Sequence, residues 1–153
     1  MRRSRTAVVR IAVVAALAAG STALAPSSVS AATTTRAKMY RATNNTRVNH
    51  EVKRVDIHYR ISKLVRKHSV AMARDGSIFH TGDPAAKYLD AVNWSTWGEN
   101  VGVTSGTIAD LERAFMKSPL HRANILNERF RRVAVGTYRD DDGLLWVTVF
   151  FYG

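Results

Sequence analysis

The fold is decided by residues 144–152, which read Leu-Leu-Trp-Val-Thr-Val-Phe-Phe-Tyr. This β-branched and aromatic run predicts a strand, and successive side chains of a strand point to opposite faces. Apolar residues occupy both alternating sets: Leu145, Val147, Val149 and Phe151 on one face, and Leu144, Trp146 and Phe150 on the other. A sheet that contains such a strand needs cover on both sides.

The preceding segment supplies a partner for this strand. Residues 133–138 alternate in the same way, and Asp140 to Gly143 predicts a turn between the two segments. We therefore expect an antiparallel hairpin at the C-terminal end of the domain.

Helical patterns elsewhere predict the layers that cover the sheet. A polar first helix is expected over 38–48, and a stronger one begins at a cap on Asp56 and ends at Gly76. His68 lies on the apolar stripe of that second helix and is expected to be a core histidine.

Three further helical segments complete the layers. They are a turn at 84–89, a helix opened by a Thr107/Asp110 capping box, and a helix begun by Ser118 and Pro119, with the Ser118 hydroxyl as cap. The predicted fold class is α+β: a three-layer α–β–α sandwich with a small antiparallel sheet, in one domain.

The first 32 residues have the pattern of a secretory signal peptide. A basic start precedes an apolar run over 11–24, and small residues before Ala31 or Ala32 offer a cleavage site. The run of 14 residues is shorter than the roughly 20 that span a bilayer, so no stable membrane span is expected after cleavage, although a retained anchor stays open. We expect a signal peptide at 1–32, an unstructured linker at 33–38 and a secreted domain at 39–153.

The chain is strongly basic. Its net charge is +11 at pH 7, and removal of residues 1–32 with their four arginines leaves +7. This charge favours an anionic partner outside the cell, either a cell-wall polymer or a lipid surface, with Arg129, Arg131 and Arg132 as candidate contacts; no nucleic-acid partner is expected. Because the chain has no cysteine, it has neither a disulfide framework nor a thiolate metal site.

Three polar residues are candidates for chemistry. His80 and Glu99 lie in the segment 76–105, which reads mostly as loop, with a short strand at Val101–Val103. His121 falls in the first turn of a helix, where the helix dipole favours the neutral imidazole. Two histidines and a carboxylate could hold a zinc ion with an open position, or supply a base and an acid, once the fold brings them together.

The order of the motifs resembles the CAP superfamily, which groups cysteine-rich secretory, antigen 5 and pathogenesis-related proteins. The resemblance covers about residues 39–153 and is to short, cysteine-free bacterial secreted members. It is carried by Phe79-His80, by Gly98-Glu99-Asn100-Val101, by Ser118-Pro119-Leu120-His121-Arg122-Ala123-Asn124-Ile125-Leu126, and by Val133-Ala134-Val135-Gly136 with the closing aromatic strand.

The resemblance implies an α–β–α sandwich with a cleft lined by two histidines and two acids, which binds divalent metal in some members. Carried over to this chain, the metal residues are His80, Glu99 and His121, while Ser118 stands where the second acid is expected. Leu120 also replaces the usual glycine before the histidine. The implied cofactor is therefore zinc or another divalent cation, bound weakly.

Several functions remain open on the sequence alone. The leading hypothesis is a secreted CAP-domain binding module, rather than an enzyme, that acts at or outside the cell envelope. A metal- or His/Glu-assisted hydrolase directed at peptides or cell wall is the alternative, with Glu99 and His121 as catalytic candidates. The other two possibilities are a basic domain for anionic polymers or lipids, and a purely structural role in which the three side chains cross-link loops to the helix layer.

Overall fold

The computed structural model describes residues 28–153. The predicted basic and apolar parts of the signal peptide lie outside the described residues. Within them, no helix is both long and apolar enough to span a bilayer. The elements, in chain order, are α1 Ser28–Asn49, β1 Asp56–Ile57, α2 Tyr59–Asp75, α3 Pro84–Tyr88, β2 Trp97–Thr104, α4 Ile108–Lys117, α5 Pro119–Ile125, β3 Arg132–Arg139 and β4 Leu145–Tyr152.

The strands form one sheet in the order β1-β3-β4-β2. β3 and β4 are the predicted hairpin, antiparallel with Val135 opposite Val149. β2 adds to the other side of β4, also antiparallel, with Glu99 opposite Phe150. The two-residue β1 pairs with β3 in parallel, so the sheet is mixed, and the predicted antiparallel pairing holds for β2, β3 and β4.

The two apolar faces of β4 are covered by different helices, which confirms the three-layer sandwich. One face packs Val147, Val149 and Phe151 against residues of α1, α4 and α5. The opposite face packs Phe150 and Tyr152 against α2 and α3, and Trp146 against Met72 of α2. Every residue of β4 is buried, as expected for a strand enclosed between two helix layers.

The first two helices begin at other residues than predicted. α1 begins at Ser28, so residues 33–38, expected to be an unstructured linker, are helical. The three threonines of this segment are poor helix formers, but Arg36, Ala37 and Lys38 favour the helix and no glycine or proline interrupts it. Asp56 does not cap α2, because it lies in β1, where its backbone pairs with that of Arg132 in β3. The N-cap of α2 is His58.

Several local predictions are confirmed. Gly76 ends α2 in the left-handed conformation, with φ of 62°. The Thr107/Asp110 capping box forms at the start of α4. His68 is a core histidine: it is 2% exposed, and its Nε2 lies 2.8 Å from the carbonyl oxygen of Phe79.

The strand before α4 is longer than the sequence indicates. Gly98, Glu99 and Asn100, expected in a loop, lie inside β2 and are buried. These residues have low intrinsic strand preference. Pairing with the apolar strand β4 outweighs that preference and places Glu99 at a fixed position on an edge of the sheet.

Candidate functional site

The candidate site is a cleft of about 430 Å³ beside β2. β2 is an edge strand, since within residues 28–153 it pairs with β4 alone. Glu99 comes from β2, His80 from the loop between α2 and α3, and His121 from α5. The fold therefore brings the three predicted site residues to one cleft, although they are far apart in sequence.

Glu99 forms the buried floor of this arrangement. Its side chain is 1% exposed, whereas that of His80 is 63% exposed. Oε2 accepts hydrogen bonds from His80 Nδ1 and the Thr81 backbone N–H, both at 2.9 Å, and Oε1 accepts from Thr81 Oγ1 at 2.8 Å. Because an ionised carboxylate only accepts, Nδ1 of His80 carries a hydrogen, and in the neutral imidazole Nε2 is then an acceptor.

His121 lies in the first turn of α5 and also lines the cleft. Its ring packs against that of Phe115, with 4.9 Å between centroids. Burial lowers the pKa of His121, and the nearby His80 lowers it further. The neutral imidazole, the form that can ligate a cation or accept a proton, is therefore favoured near neutral pH.

Two asparagines hold α5 against β2. Asn100 Nδ2 donates to the carbonyl oxygen of His121 at 3.0 Å, and Asn124 Nδ2 donates to Asn100 Oδ1 at 2.9 Å. Asn124 Nδ2 also donates to the Glu99 carbonyl oxygen at 3.2 Å. Gly98 makes room for this contact, since a Cβ there would lie 2.5 Å from Asn124 Oδ1. The backbone of His121 is thus fixed relative to the strand that carries Glu99.

Ser118 differs from its predicted role. It is the N-cap of α5 by position, but its side chain forms no capping hydrogen bond. Its backbone ψ of 120° gives the extended conformation usual for a cap. Pro119 removes one of the first N–H groups of the helix, so fewer donors remain to be capped. Ser118 instead lines the cleft.

The sequence did not indicate that Thr81 belongs to the site. Thr81 holds Glu99 through both its backbone and its hydroxyl, and the Tyr88 hydroxyl lies 3.0 Å from Thr81 Oγ1. Burial raises the pKa of Tyr88 to about 12, which keeps its hydroxyl protonated and able to donate to Thr81. The only local signal was that Thr81 follows His80 directly.

The donors present fit a weak cation site better than a tight one. Within residues 28–153, no group of three or more His, Cys, Asp or Glu side chains is arranged to hold a metal ion. The oxygens of Glu99 already accept three hydrogen bonds, so the donors that remain are the imidazoles of His80 and His121. Catalytic zinc sites commonly use three protein ligands. In metal sites, a ligating histidine commonly donates its other ring N–H to a carboxylate, which orients the ring. Glu99 is placed to orient His80 in this way.

The fold and the cleft define a domain in which a carboxylate on an edge strand shares a cleft with two histidines. Comparison with known proteins shows which family this domain belongs to. A model of the CAP family, described as the cysteine-rich secretory protein family, matches residues 40–151. The chain belongs to this family.

Relatives of the chain include proteins from several bacteria. An uncharacterized protein, YkwD, of Bacillus subtilis is 31% identical over 134 residues, which cover 84% of this chain and 50% of that protein. The chain thus spans about half the length of this curated relative.

Solved structures share the fold. An extracellular protein containing an SCP domain from Bacillus anthracis matches with a TM-score of 0.66 and 23% identity, over 79% of this chain and 41% of that chain. An outer surface protein of Borrelia burgdorferi matches with a TM-score of 0.67 and 14% identity, over 76% of this chain and 90% of that chain.

Proposed function

We propose that this CAP domain is a binding module whose cleft takes a divalent cation through His80 and His121, with Glu99 as the residue that orients His80. The cation would be zinc or a similar ion, bound weakly. In this assignment Glu99 supports the site through a hydrogen bond and does not ligate the ion itself.

The main support for the proposal is the hydrogen bond between His80 Nδ1 and Glu99 Oε2, which is 2.9 Å long. It leaves His80 Nε2 as the free nitrogen of an imidazole that is largely exposed. A carboxylate bonded to the second nitrogen also raises the basicity of a ligating histidine. His121 lines the same cleft, and the lowered pKa of its imidazole favours the neutral, ligating form.

The expected affinity is modest because the chain supplies few ligands. Two imidazoles leave the remaining coordination positions to water or to a ligand from outside. Ser118 stands in the cleft with a hydroxyl in place of a second carboxylate, and a neutral hydroxyl is a poorer cation ligand than a carboxylate. Such an open site suits reversible binding better than permanent retention of the ion.

We further propose that the domain acts outside the cell or at its surface. The signal-peptide pattern of residues 1–32 supports this placement. So do the names of two structural relatives, an extracellular protein and an outer surface protein.

The proposal is tested by calorimetric titration of the protein with zinc. We expect saturable one-to-one binding that is lost in His80→Ala and in His121→Ala. His50→Ala is the matched control, because His50 is an exposed histidine bonded to Thr46 and lies outside the cleft. Binding that persists in both cleft variants, or that disappears equally in His50→Ala, would remove the assignment.

The second candidate is a hydrolase, and the free hydroxyl of Ser118 is the observation that favours it. A serine that does not cap its helix and shares a cleft with two histidines could serve as a nucleophile beside a base. Incubation with casein and with peptidoglycan tests this candidate. Products that form with the parent but not with Ser118→Ala support it, and the absence of any product across neutral and acidic pH counts against it.

A further inference from the structure

The outward face of α2 carries four positively charged side chains in line along the helix. Arg60, Lys63, Lys67 and Arg74 are all exposed, while the opposite face of α2 packs Ile61, Val65 and Met72 into the core. At 100° per residue the four cations fall within an arc of about 60°, and they span about 21 Å along the helix axis. These four residues form the α2 stripe.

The charges of the α2 stripe are not neutralised by the protein itself. Within the described residues the ion pairs are His80–Glu99, Arg113–Asp110 and Arg132–Asp56, and none of them involves the stripe. A surface groove runs along the C-terminal half of the stripe, and its lining includes three cations and one acid: Arg66, Lys67, Val70, Ala71, Arg74 and Asp75. The stripe therefore offers unpaired cations at intervals of about one or two helical turns.

The N-terminal end of the stripe already influences a neighbouring group. Burial lowers the pKa of His58, and the positive charges of Arg60 and Arg132 lower it further. Of the stripe, Arg60 therefore acts on this group beside the sheet, together with Arg132 from outside the stripe.

We propose that the α2 stripe binds a linear polyanion with closely spaced phosphate groups, such as a polyphosphodiester of the cell-wall type. Spacing and charge together support this class of partner: the four cations lie about 4.5, 6 and 10.5 Å apart along the helix axis, so one linear chain of phosphates can contact several of them. Arginine and lysine are the usual phosphate-binding side chains. This surface is separate from the His80/His121 cleft and does not depend on the cation proposed there.

The absence of large apolar side chains from the stripe argues against a bilayer. Interfacial helices bury Trp, Phe or Leu below the head groups. The exposed large apolar residues of the described chain are Val48, Tyr59, Ile78, Trp94, Trp97 and Leu120, and none lies between Arg60 and Asp75. Single-stranded nucleic acid is also disfavoured, because base stacking needs aromatic platforms that the stripe lacks.

The test measures binding of linear inorganic polyphosphate to the full chain and to two variants that each lose four positive charges. The first variant carries Arg60→Gln, Lys63→Gln, Lys67→Gln and Arg74→Gln. The control carries Lys38→Gln, Lys53→Gln, Arg54→Gln and Lys117→Gln, which are exposed cations outside α2. Glutamine has a helix propensity close to that of lysine and arginine, so both variants are expected to fold.

We expect the α2 variant to bind polyphosphate about tenfold more weakly, or worse, and the control to bind within about twofold of the parent. The slope of log K against log salt concentration should be less steep by about three in the α2 variant. Each of the four lost phosphate contacts removes roughly 0.7 from the magnitude of the slope for a single-stranded polyanion. His80→Ala should bind polyphosphate as the parent does, which separates this surface from the cleft.

Three results would overturn the proposal. One is that the parent fails to bind polyphosphate. Another is that both charge variants lose affinity equally, because net charge alone would then explain the binding. The third is that phosphatidylglycerol vesicles or a single-stranded oligonucleotide bind through the α2 stripe more tightly than polyphosphate does.

Discussion

Glu99 sets the orientation of His80 without facing the solvent. Its two oxygens accept from one imidazole, one backbone N–H and one hydroxyl. An ionised carboxylate suits three converging donors, because both of its oxygens accept and neither donates. The identity of this residue therefore affects both the stability of the loop that carries His80 and the direction in which the imidazole points.

Glu99→Gln is predicted to weaken both properties. An amide keeps the shape but offers one acceptor oxygen, so its NH2 group would meet a donor from Thr81 or His80. We expect a loss of about 1–3 kcal/mol in the free energy of unfolding and about tenfold or more in zinc affinity. Urea denaturation and calorimetry measure the two effects. Glu51→Gln, at an exposed position, is the control, and equal behaviour of the two variants would contradict the role given to Glu99.

Arg47 is a fully buried cation bonded to carbonyl groups. Its Nε donates to the Lys53 carbonyl oxygen at 2.7 Å, and its Nη1 donates to those of Ile125 at 2.6 Å and Asn127 at 3.0 Å. Burial lowers the pKa of Arg47, and the charge of Arg131 lowers it further. Carbonyl groups at the C-terminal end of α5 help to stabilise the buried charge, because that end of a helix dipole is negative.

Arg47→Met is predicted to destabilise the protein by about 3 kcal/mol or more, since three carbonyl groups lose their donor in the interior. The free energy of unfolding in urea measures the change. Arg41→Met is the matched control on the same helix, where the side chain is exposed, and it should change stability by about 0.5 kcal/mol or less. A cost below about 1 kcal/mol for Arg47→Met would show that its hydrogen bonds contribute little.

At the scale of elements, β4 is enclosed by helices on both faces. Phe150 contacts the layer that contains α2, and Phe151 contacts the layer that contains α1. Phe150→Ala and Phe151→Ala are each predicted to cost about 3–5 kcal/mol, because each leaves a cavity in a packed layer. Tyr59→Ala, at a position 62% exposed, is the control. Urea unfolding of the three variants tests the sandwich, and a small cost for either phenylalanine would mean that one face of β4 is open.

The contact between α1 and α4 contains a buried carboxyl group. Glu112 is 6% exposed, its Oε2 accepts from Thr43 Oγ1 at 3.4 Å, and its Oε1 has no hydrogen-bond partner. Burial raises the pKa of Glu112, and the nearby hydroxyl groups of Thr46 and Thr43 lower it by a smaller amount. In the folded protein the carboxyl group therefore holds its proton to a higher pH than in the unfolded chain.

Glu112→Gln is predicted to stabilise the protein at neutral pH, with an effect that disappears in acid. Because the pKa is higher in the folded state, the parent loses stability as pH rises from the ordinary value of 4.5 through the folded-state pKa. Glutamine does not ionise, so the advantage of the variant should grow over that interval and then level off. Urea denaturation at a series of pH values measures it, and a difference that does not change with pH would contradict this account.

At the scale of the whole molecule, the sequence predicted the sandwich better than it predicted the site. The alternating pattern of 144–152 is a local property, and it sufficed for the hairpin and the two helix layers. The strand character of Gly98, Glu99 and Asn100 could not be predicted locally, because it arises from pairing with β4. The start of α1 was missed because its residues carry no apolar periodicity to mark a helix.

The site residues illustrate the same limit. His80, Glu99 and His121 are candidates by residue type and local pattern, but their spacing does not bring them together, and the resemblance to a family was needed to place them in one cleft. Thr81 binds Glu99 only because the fold brings its loop against β2. Its role therefore cannot be read from its local sequence. Ser118 was expected to cap α5 through its hydroxyl but forms no such bond, because a cap signal in sequence does not determine where the hydroxyl points.

The most direct test of the central claim is NMR observation of the imidazole nitrogens by long-range nitrogen–proton correlation, at neutral pH, before and after addition of zinc. We predict that His80 carries its hydrogen on Nδ1 before zinc is added, and that zinc shifts the Nε2 resonance of His80 and a nitrogen resonance of His121 while His50 stays unchanged. A His80 protonated on Nε2 instead, or zinc shifts confined to His50, would contradict the orientation by Glu99 and the cation site built on it.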